Sequence, residues 1–424
     1  MLKLKDLKSS LLLYAVTDRY WLNGRKLKDD VEKAILGGAT MIQLREKELS
    51  IDEFIKEAKE IKAVCKKYDI PFIINDSLEV FKAVDADGIH VGQNDMRADL
   101  VRKEIGPNKI LGVSAETVEE AILAKKNGAD YLGVGTIFST STKLDAITVS
   151  KEELARICYS VDIPVVAIGG INLDNIKELK NTMISGVSIV SAIFGANNIE
   201  DATYKLKLET EKLFFNPKDY KLFIVDYDGT LLNSLSMWED IASRYVKSKG
   251  LIPEYDLDLI VKKQTNSETA IYMKEKYFKD IDIESLNSDI ENFIEKEYLK
   301  IKINKGAKEL LNSLKNEGRV VLFTATSLPL IEKSLKYNNI ENDFSYLYTS
   351  TNYNYTKTDG SGFLKVLENE GYNISDTIVI EDATHAILGA KMAGFKVLSI
   401  ATYKNMNDID ILLKNSDYMI KVEI

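Results

Sequence analysis

Two groups of residues in this chain have the types and spacing that phosphate chemistry needs. The first is spread over the first half. Arg45, Lys47 and Lys143 are cations, and Asp76 and Asp95 are carboxylates. An arginine can clamp phosphate oxygens bidentately, and a lysine serves as a mobile point charge. Magnesium is held by one or two carboxylates together with substrate phosphates. Together these residues describe a site for a diphosphate and Mg²⁺. The Gly169-Gly170 turn and the loop after the eighth apolar run add a second phosphate site, because glycine lets backbone amides approach an anion closely. This chemistry suggests a transferase with a diphosphate leaving group and a phosphorylated acceptor. The second group is Asp226-Tyr227-Asp228-Gly229-Thr230, which follows the apolar run Lys221–Val225. Two aspartates at a strand end, before a glycine turn, put both carboxylates into one crevice.

Each feature has a duller reading when taken alone. Arg45-Glu46-Lys47 would usually be a solvated loop. Asp76 is as readily a helix N-cap, since a helical segment follows it. His90, at a strand end, more often packs or bonds to backbone than catalyses. An aspartate pair is usually a turn. Joint occurrence decides against these readings, and it needs elements that bring the residues together.

Up to about residue 212 the chain alternates short apolar runs with amphipathic stretches. The runs are Leu11–Val16, Thr40–Leu44, Phe72–Ile74, Gly88–Val91, Ile110–Val113, Tyr131–Val134, Val165–Ile168 and Val187–Val190. Continuous apolarity over so few residues fits strands buried on both faces of a parallel sheet. Helical patterns such as Ile51–Lys67, Thr117–Asn127 and Lys151–Tyr159 lie between them. Eight such units predict an α/β fold closed into a (β/α)₈ TIM barrel, with an open doubly wound sheet as the alternative. A barrel carries function on the loops at the C-terminal ends of its strands. The polar residues Gln43 to Lys47, Asn75 and Asp76, His90 to Asp95, Ser114, Thr140 to Lys143, Gly169-Gly170 and Ser191 all follow or end these runs.

Composition agrees with a globular enzyme of two domains. The 424 residues are 45% hydrophobic and 29% charged, with a net charge of −9. That balance disfavours broad nucleic-acid binding, which needs a basic face. Cys65 and Cys158 sit in helical patterns and read as buried core thiols. Met1–Ser10 is lysine-rich, but the apolar run after it is too short for a signal-peptide core. No run approaches the ~18 apolar residues of a membrane span, so the protein is expected to be cytoplasmic and to act on small molecules, with no nucleic-acid or membrane partner. An oligomer is compatible with this composition. Thr203–Leu213 is expected to be the last barrel helix, and Pro217 to end any helix. The expected domains are 1–214 and 215–424, held close by a short linker.

The first half resembles thiamine phosphate synthase. The resemblance is carried by QLREK at 43–47, IND at 74–76, GIHVGQND at 88–95, GVSAET at 112–117, TSTK at 140–143 and AIGGIN at 167–172, in order and in strand placement. That family joins hydroxymethylpyrimidine diphosphate to thiazole phosphate and releases pyrophosphate. The resemblance implies that Gln43, Leu44, Arg45, Glu46, Lys47, Asn75, Ser114 and Lys143 hold the pyrimidine diphosphate, with Lys143 also catalytic. It implies that Asp76 and Asp95 bind Mg²⁺, and that Thr140, Ser141, Thr142, Gly170, Val190 and Ser191 hold the thiazole phosphate. Ser139 and Ser141 depart from the pattern, where relatives often carry proline.

From residue 221 the order of motifs resembles the haloacid dehalogenase superfamily, with DYDGTLLNS at 226–234 as the most specific. Further strands are predicted at Val320–Phe323, ending in Thr324, and at Ile378–Ile380, ending in Glu381-Asp382. Lys357 precedes a helical pattern at Gly362–Leu367. The implied fold is a doubly wound Rossmann-like hydrolase domain, with a helical cap over about 235–303. The resemblance makes Asp226 the nucleophile and Asp228 the acid–base. It makes Thr324 and Lys357 the phosphoryl-holding pair, and Asp226, Asp228 and Asp382 the Mg²⁺ ligands, with Glu381 beside them. A regulatory module in place of a phosphatase, or a barrel kept only as a scaffold, is the rival reading; neither needs a complete set of reacting groups. In the cap, Trp238, Tyr245, Tyr255 and Tyr272 are either stacking surfaces for a cationic heterocycle or ordinary packing. His385 is expected on a helix surface. Ala386 stands where relatives often have glycine.

Overall fold

The computed structural model describes residues 4–139, 148–261, 264, 266–304, 306–350 and 356–422. The chain falls into two compact units, residues 1–215 with 406–421 and residues 216–405 with 422–424.

Among the described residues, the first unit is a closed barrel of parallel strands in sequence order. They are β1 (Leu13–Val16), β2 (Met41–Leu44), β3 (Phe72–Asn75), β4 (Gly88–Val91), β5 (Ile110–Ala115), β6 (Tyr131–Val134), β7 (Val165–Ile168) and β8 (Gly186–Ile189). Each lies within two residues of an apolar run, and closure settles the choice against an open sheet. Alternation along a strand sends successive side chains to opposite faces. Leu13, Ala15, Ile42 and Leu44 pack outward in the large core shared with the helices. Tyr14, Val16, Met41, Ile73, Tyr131 and Val166 form a separate interior cluster. Leu7, on the short helix Leu4–Ser10, joins this inner cluster with Leu11. The lysine-rich start therefore supplies apolar filling for the barrel.

The helix Ile51–Lys67 has the predicted bounds and opens with a capping box between Ser50 and Glu53. The segment after β7 is only the 3₁₀ turn Ile176–Leu179. The last barrel helix is Ile199–Glu211, capped by Asn198. Pro217 does not end it. The helix stops earlier, and Pro217 starts a new 3₁₀ turn, Pro217–Asp219, capped by Asn216. Proline suits a first helical position because its missing N–H would have no partner there. Cys65 and Cys158 are buried and free, and burial raises both thiols well above their ordinary range.

The second unit is built on strands in the order β11-β10-β9-β12-β13 among the described residues. The strands are β9 (Leu222–Val225), β10 (Arg319–Thr324), β11 (Tyr346–Thr349), β12 (Thr377–Glu381) and β13 (Lys396–Ala401). Pairings from β9 to β13 are parallel. β9 lies centrally, between β10 and β12, so the segments after these strands gather at one sheet edge. The cap region contains the helices Leu235–Ser248, Leu257–Val261, Asn266–Tyr277 and Ile283–Tyr298. They enclose a small core of their own that includes Tyr245, Val246, Leu257, Met273 and Phe278. No helix among the described residues is long and apolar enough to cross a membrane.

Candidate active sites

The barrel mouth holds a cavity of about 200 Å³, lined among others by Gln43, Arg45, Asn75, Ser114, Gly170, Val190 and Ser191. Strand alternation explains the membership. Gln43 and Arg45 face inward, while Leu44 between them is fully buried in the outer core, so any ligand contact it makes is through backbone. Glu46 also turns away from the mouth. Its carboxylate is bonded by Arg19, which also holds Glu57 at 2.6 Å. Burial, with Glu57 beside it, raises the Glu46 carboxyl, and Arg19 opposes that shift. Thr140, Ser141, Thr142 and Lys143 lie outside the described residues.

Lys47 Nζ lies 2.5 Å from Asp76 Oδ2. The helix that follows is capped by Ser77, not by Asp76, and Asp76 itself takes a left-handed φ of 58°. The alternative of Asp76 as an N-cap is thereby excluded. Asp95 accepts from the Gly92 amide at 2.8 Å. Burial and the adjacent Asp76 carboxyl raise Asp95 above its ordinary range. Two carboxylates pressed together beside one lysine are a fit for a hard divalent cation, which would relieve their repulsion.

The Gly169-Gly170 turn has φ values of 100° and 66°. A Cβ at Gly170 would fall 2.5 Å from the Phe138 carbonyl oxygen. Only glycine therefore fits this approach, which keeps backbone at the cavity wall. Ser188 on β8 also lines the cavity, and its buried hydroxyl has no hydrogen-bond partner among the described residues. A buried hydroxyl facing a cavity is a ready contact for a ligand.

Sequence reasoning passed over Tyr14 and Tyr131 as strand filling. Their hydroxyls lie 2.8 Å apart, and Gln43 Nε2 donates to Tyr14 at 2.6 Å. His90 bonds Tyr131 through Nδ1 at 3.0 Å and Ser114 through Nε2 at 3.1 Å. The barrel interior depresses the imidazole to about 4, with Asp95 opposing, so His90 is neutral near pH 7. His90 thus bonds to side chains rather than to backbone.

In the second unit a cavity of about 820 Å³ is lined by Asp226, Asp228, Thr324, Lys357, Glu381 and Asp382, with Trp238 and His385 at its wall. Predicted residues from four places in the sequence meet here. Lys357 Nζ is 2.5 Å from Asp226 Oδ1 and 2.8 Å from Glu381 Oε1. Burial works to depress the lysine, but these two carboxylates outweigh it and keep Lys357 charged. Burial and the neighbouring carboxylates raise both Asp226 and Asp382. Asp226, Glu381 and Asp382 offer oxygens within 4.8 Å of one another. The other Glu381 oxygen accepts from the amides of Asp382 and Ala383 at 2.7 and 2.8 Å. Glu381 is therefore engaged on both oxygens and shapes the turn, which leaves Asp226 and Asp382 as the freer oxygens for a cation. Gly229 gives Asp382 its room, since a Cβ there would fall 2.2 Å from Asp382 Oδ2.

Asp228 is held by donors that its local motif only partly foretells. Ser234 Oγ and Tyr298 OH bond Oδ1 at 2.6 and 2.7 Å, and Trp238 Nε1 reaches it at 3.4 Å. Thr326 Oγ1 donates to Oδ2 at 2.7 Å. Trp238 and Tyr298 belong to cap helices, and Tyr298 is 70 residues from Asp228; nothing in the spacing signals that contact. Of the four cap aromatics, Trp238 alone among those named lines the cavity. Tyr245 is buried against Asp289, Tyr272 bonds Glu254, and Tyr255 is fully exposed. His385 is exposed on its helix, as expected, yet it also borders the cavity.

Known proteins resemble each half separately. Residues 13–193 match the family described as thiamine monophosphate synthase. Residues 223–400 match the family described as haloacid dehalogenase-like hydrolase. Thiamine-phosphate synthase of Clostridium tetani (strain Massachusetts / E88) is 53% identical over 194 residues, 46% of this chain and 93% of that protein. The enzyme of the same description from Clostridioides difficile (strain 630) is 51% identical over 209 residues, 49% of this chain and 100% of that protein. The solved thiamine phosphate pyrophosphorylase from Pyrococcus furiosus is 40% identical, covering 49% of this chain and 100% of its own, with a TM-score of 0.46. With 53% identity across nearly the whole of such a relative, the chain belongs through its first half to the thiamine-phosphate synthase family of transferases, and the segment that follows, residues 223–400, is similar to haloacid dehalogenase-like hydrolases.

Proposed function

We propose that the barrel condenses hydroxymethylpyrimidine diphosphate with thiazole phosphate to give thiamine monophosphate and pyrophosphate. We further propose that the second domain hydrolyses the phosphomonoester of that product. The observation that supports the first step is the mouth cavity with its inward Gln43 and Arg45, the Lys47-Asp76-Asp95 group and the glycine turn. Arg45, Lys47 and Lys143 hold the diphosphate, and Asp76 and Asp95 hold Mg²⁺. As the bond to the diphosphate breaks, negative charge grows on the leaving oxygens. Preorganised donors stabilise such charge by roughly 3 kcal/mol each. The electron-rich pyrimidine stabilises the methylene cation, which the thiazole nitrogen captures, so no protein nucleophile is needed. Gly170, Val190, Ser191 and Thr140 to Thr142 hold the thiazole phosphate.

In the second domain Asp226 attacks phosphorus and forms an aspartyl-phosphate. Asp228 protonates the leaving oxygen and then activates water. Thr324 and Lys357 hold the transferring phosphoryl group. Bound Mg²⁺ lets carboxylate and phosphate approach despite like charge; Asp226, Asp382 and the Asp228 carbonyl would hold it. An intact nucleophile, acid and lysine in one cavity favours a phosphatase over a regulatory module. Joining both domains in one chain raises the effective concentration of the barrel's product at the second site. Trp238 at the cavity wall gives a cationic thiazolium a face to meet.

The test supplies both barrel substrates to the full-length protein and follows products by chromatography. Free thiamine is the expected end product. Thiamine monophosphate that accumulates and persists, while a generic phosphomonoester is hydrolysed by the same preparation, would refute the substrate assignment. Both activities are expected to vanish in excess chelator and to return with Mg²⁺, because each carboxylate group offers oxygen ligands only. Full activity of either domain in chelator would remove the metal from that domain's mechanism.

A further inference from the structure

Both chain connections to the cap meet at one carboxylate. The segments that enter and leave the cap are joined through backbone. Leu232 bridges Ile303 in antiparallel fashion, and the Asn304 amide donates to the Leu231 carbonyl at 2.8 Å. This pairing follows directly on the turn at 226–230. It brings the end of the cap helix Ile283–Tyr298 beside Ser234, which precedes the cap helix Leu235–Ser248. Tyr298 and Ser234 are both fully buried. Their hydroxyls donate to the same atom, Asp228 Oδ1, at 2.7 and 2.6 Å. The Trp238 ring packs against Tyr298 with centroids 5.8 Å apart, which fixes the phenol. The other oxygen, Oδ2, accepts from Thr326 on the segment after β10. Asp228 is thus held at both oxygens, one by the cap connections and one by the sheet.

A hydroxyl suits this task. It accepts as readily as it donates, so Tyr298 and Ser234 keep a bond to Asp228 whether or not its carboxyl carries the proton. An ammonium or guanidinium has donors only and would favour the carboxylate alone.

We infer that Tyr298, paired with Ser234, is a positioning residue for the phosphatase reaction, holding the Asp228 carboxyl at the cavity wall for proton transfer to the leaving oxygen, so that hydrolysis extends to phosphate esters of unactivated alcohols. This rests on the reading of Asp228 as the acid of that reaction. As Asp226 bonds to phosphorus, the P–O ester bond breaks and its electron pair passes to the leaving oxygen, which takes the proton from Asp228. An alkoxide leaves poorly without that proton, whereas a dinitrophenolate leaves without it. A carboxyl released at Oδ1 is correctly placed for a smaller share of the time. The loss falls on the substrates that need the proton.

The test uses the full-length protein with Tyr298→Phe, which removes the hydroxyl and keeps the ring against Trp238. With Mg²⁺ present, kcat/KM is measured for glycerol phosphate and for dinitrophenyl phosphate. The alkyl ester is expected to fall on the order of 10-fold or more, and the aryl ester by only a few-fold. Ser234→Ala removes the other hydroxyl on Oδ1 and is expected to split the two esters in the same direction, which keeps the test open if the phenylalanine variant fails to fold. Asp228→Asn is the reference and is expected to split them further. A purely structural role would lower both esters equally. An unchanged ratio of the two esters in whichever variant folds, beside a changed ratio in Asp228→Asn, overturns the inference. An unchanged ratio in Asp228→Asn overturns the reading of Asp228 as the acid, and the inference with it. A folded wild type that hydrolyses neither ester overturns the phosphatase reading itself.

Discussion

Replacing Asp226 by asparagine is expected to abolish phosphomonoester hydrolysis, by on the order of 10³-fold or more, while pyrophosphate release by the barrel stays within a few-fold of wild type. The amide cannot form the acyl phosphate. The barrel should be indifferent, because every residue assigned to the transferase lies before residue 212. The variant should also keep its thermal stability. Asp226 is buried beside Glu381 and Asp382, and its carboxyl is raised by burial and by those neighbours. Neutralising it relieves repulsion, although Lys357 loses one partner. Separate assays of pyrophosphate release and phosphate release check the prediction, with a thermal melt on the same sample. Loss of both activities in a folded variant would sink the two-site reading.

The opposite stability result is expected for Lys357→Met. Lys357 lies 2.5 and 2.8 Å from two buried carboxylates, and methionine keeps most of its volume. Removing one partner from a buried ion group costs about 3–5 kcal/mol, because the remaining charges are left uncompensated. Hydrolysis should fail as well, since the transferring phosphoryl group loses its fixed cation. Chemical denaturation of the variant should show the second domain unfolding at lower denaturant, with the barrel transition unmoved. Wild-type stability would show that Asp226 and Glu381 are relieved in another way. Added Mg²⁺ should restore part of the lost stability, because a cation at Asp226 and Asp382 offsets the same repulsion.

Much of this protein was legible in one dimension because its functional groups sit at strand ends. In a parallel sheet each short apolar run stops where the chain reaches the edge, and the next polar residues are the ones that can meet a ligand. That regularity locates Gln43, Asn75, Ser114 and Gly170 in the barrel. It also locates Asp226, Thr324 and Asp382 in the second domain. The order of these motifs sufficed to name both families. The alternation rule also separates inward Gln43 and Arg45 from outward Leu44, but only when the facing direction of β2 is known, and closure of the barrel supplies that.

Tertiary structure decided whatever depends on side chains that meet from distant segments. Glu46 was read as part of the run that holds the diphosphate, and Arg19 holds its carboxylate in a part-buried ion group with Glu57. Asp76 could have been a cap until its left-handed backbone and the Ser77 cap assigned it to Lys47 and Asp95. Glu381 was placed only beside the metal ligands, and its bonds to Lys357 and two backbone amides give it a part of its own as a support for the turn. Tyr14, Tyr131 and Tyr298 carried no local signal, because an aromatic residue in a strand or helix reads as packing until its hydroxyl finds a partner. The sequence by itself therefore determined the two folds, the strand-end residues and the reaction classes they serve. The structure decided which hydroxyl, amide and carboxylate face one another, because hydrogen bonding and charge pairing are set by distances that no spacing along the chain encodes.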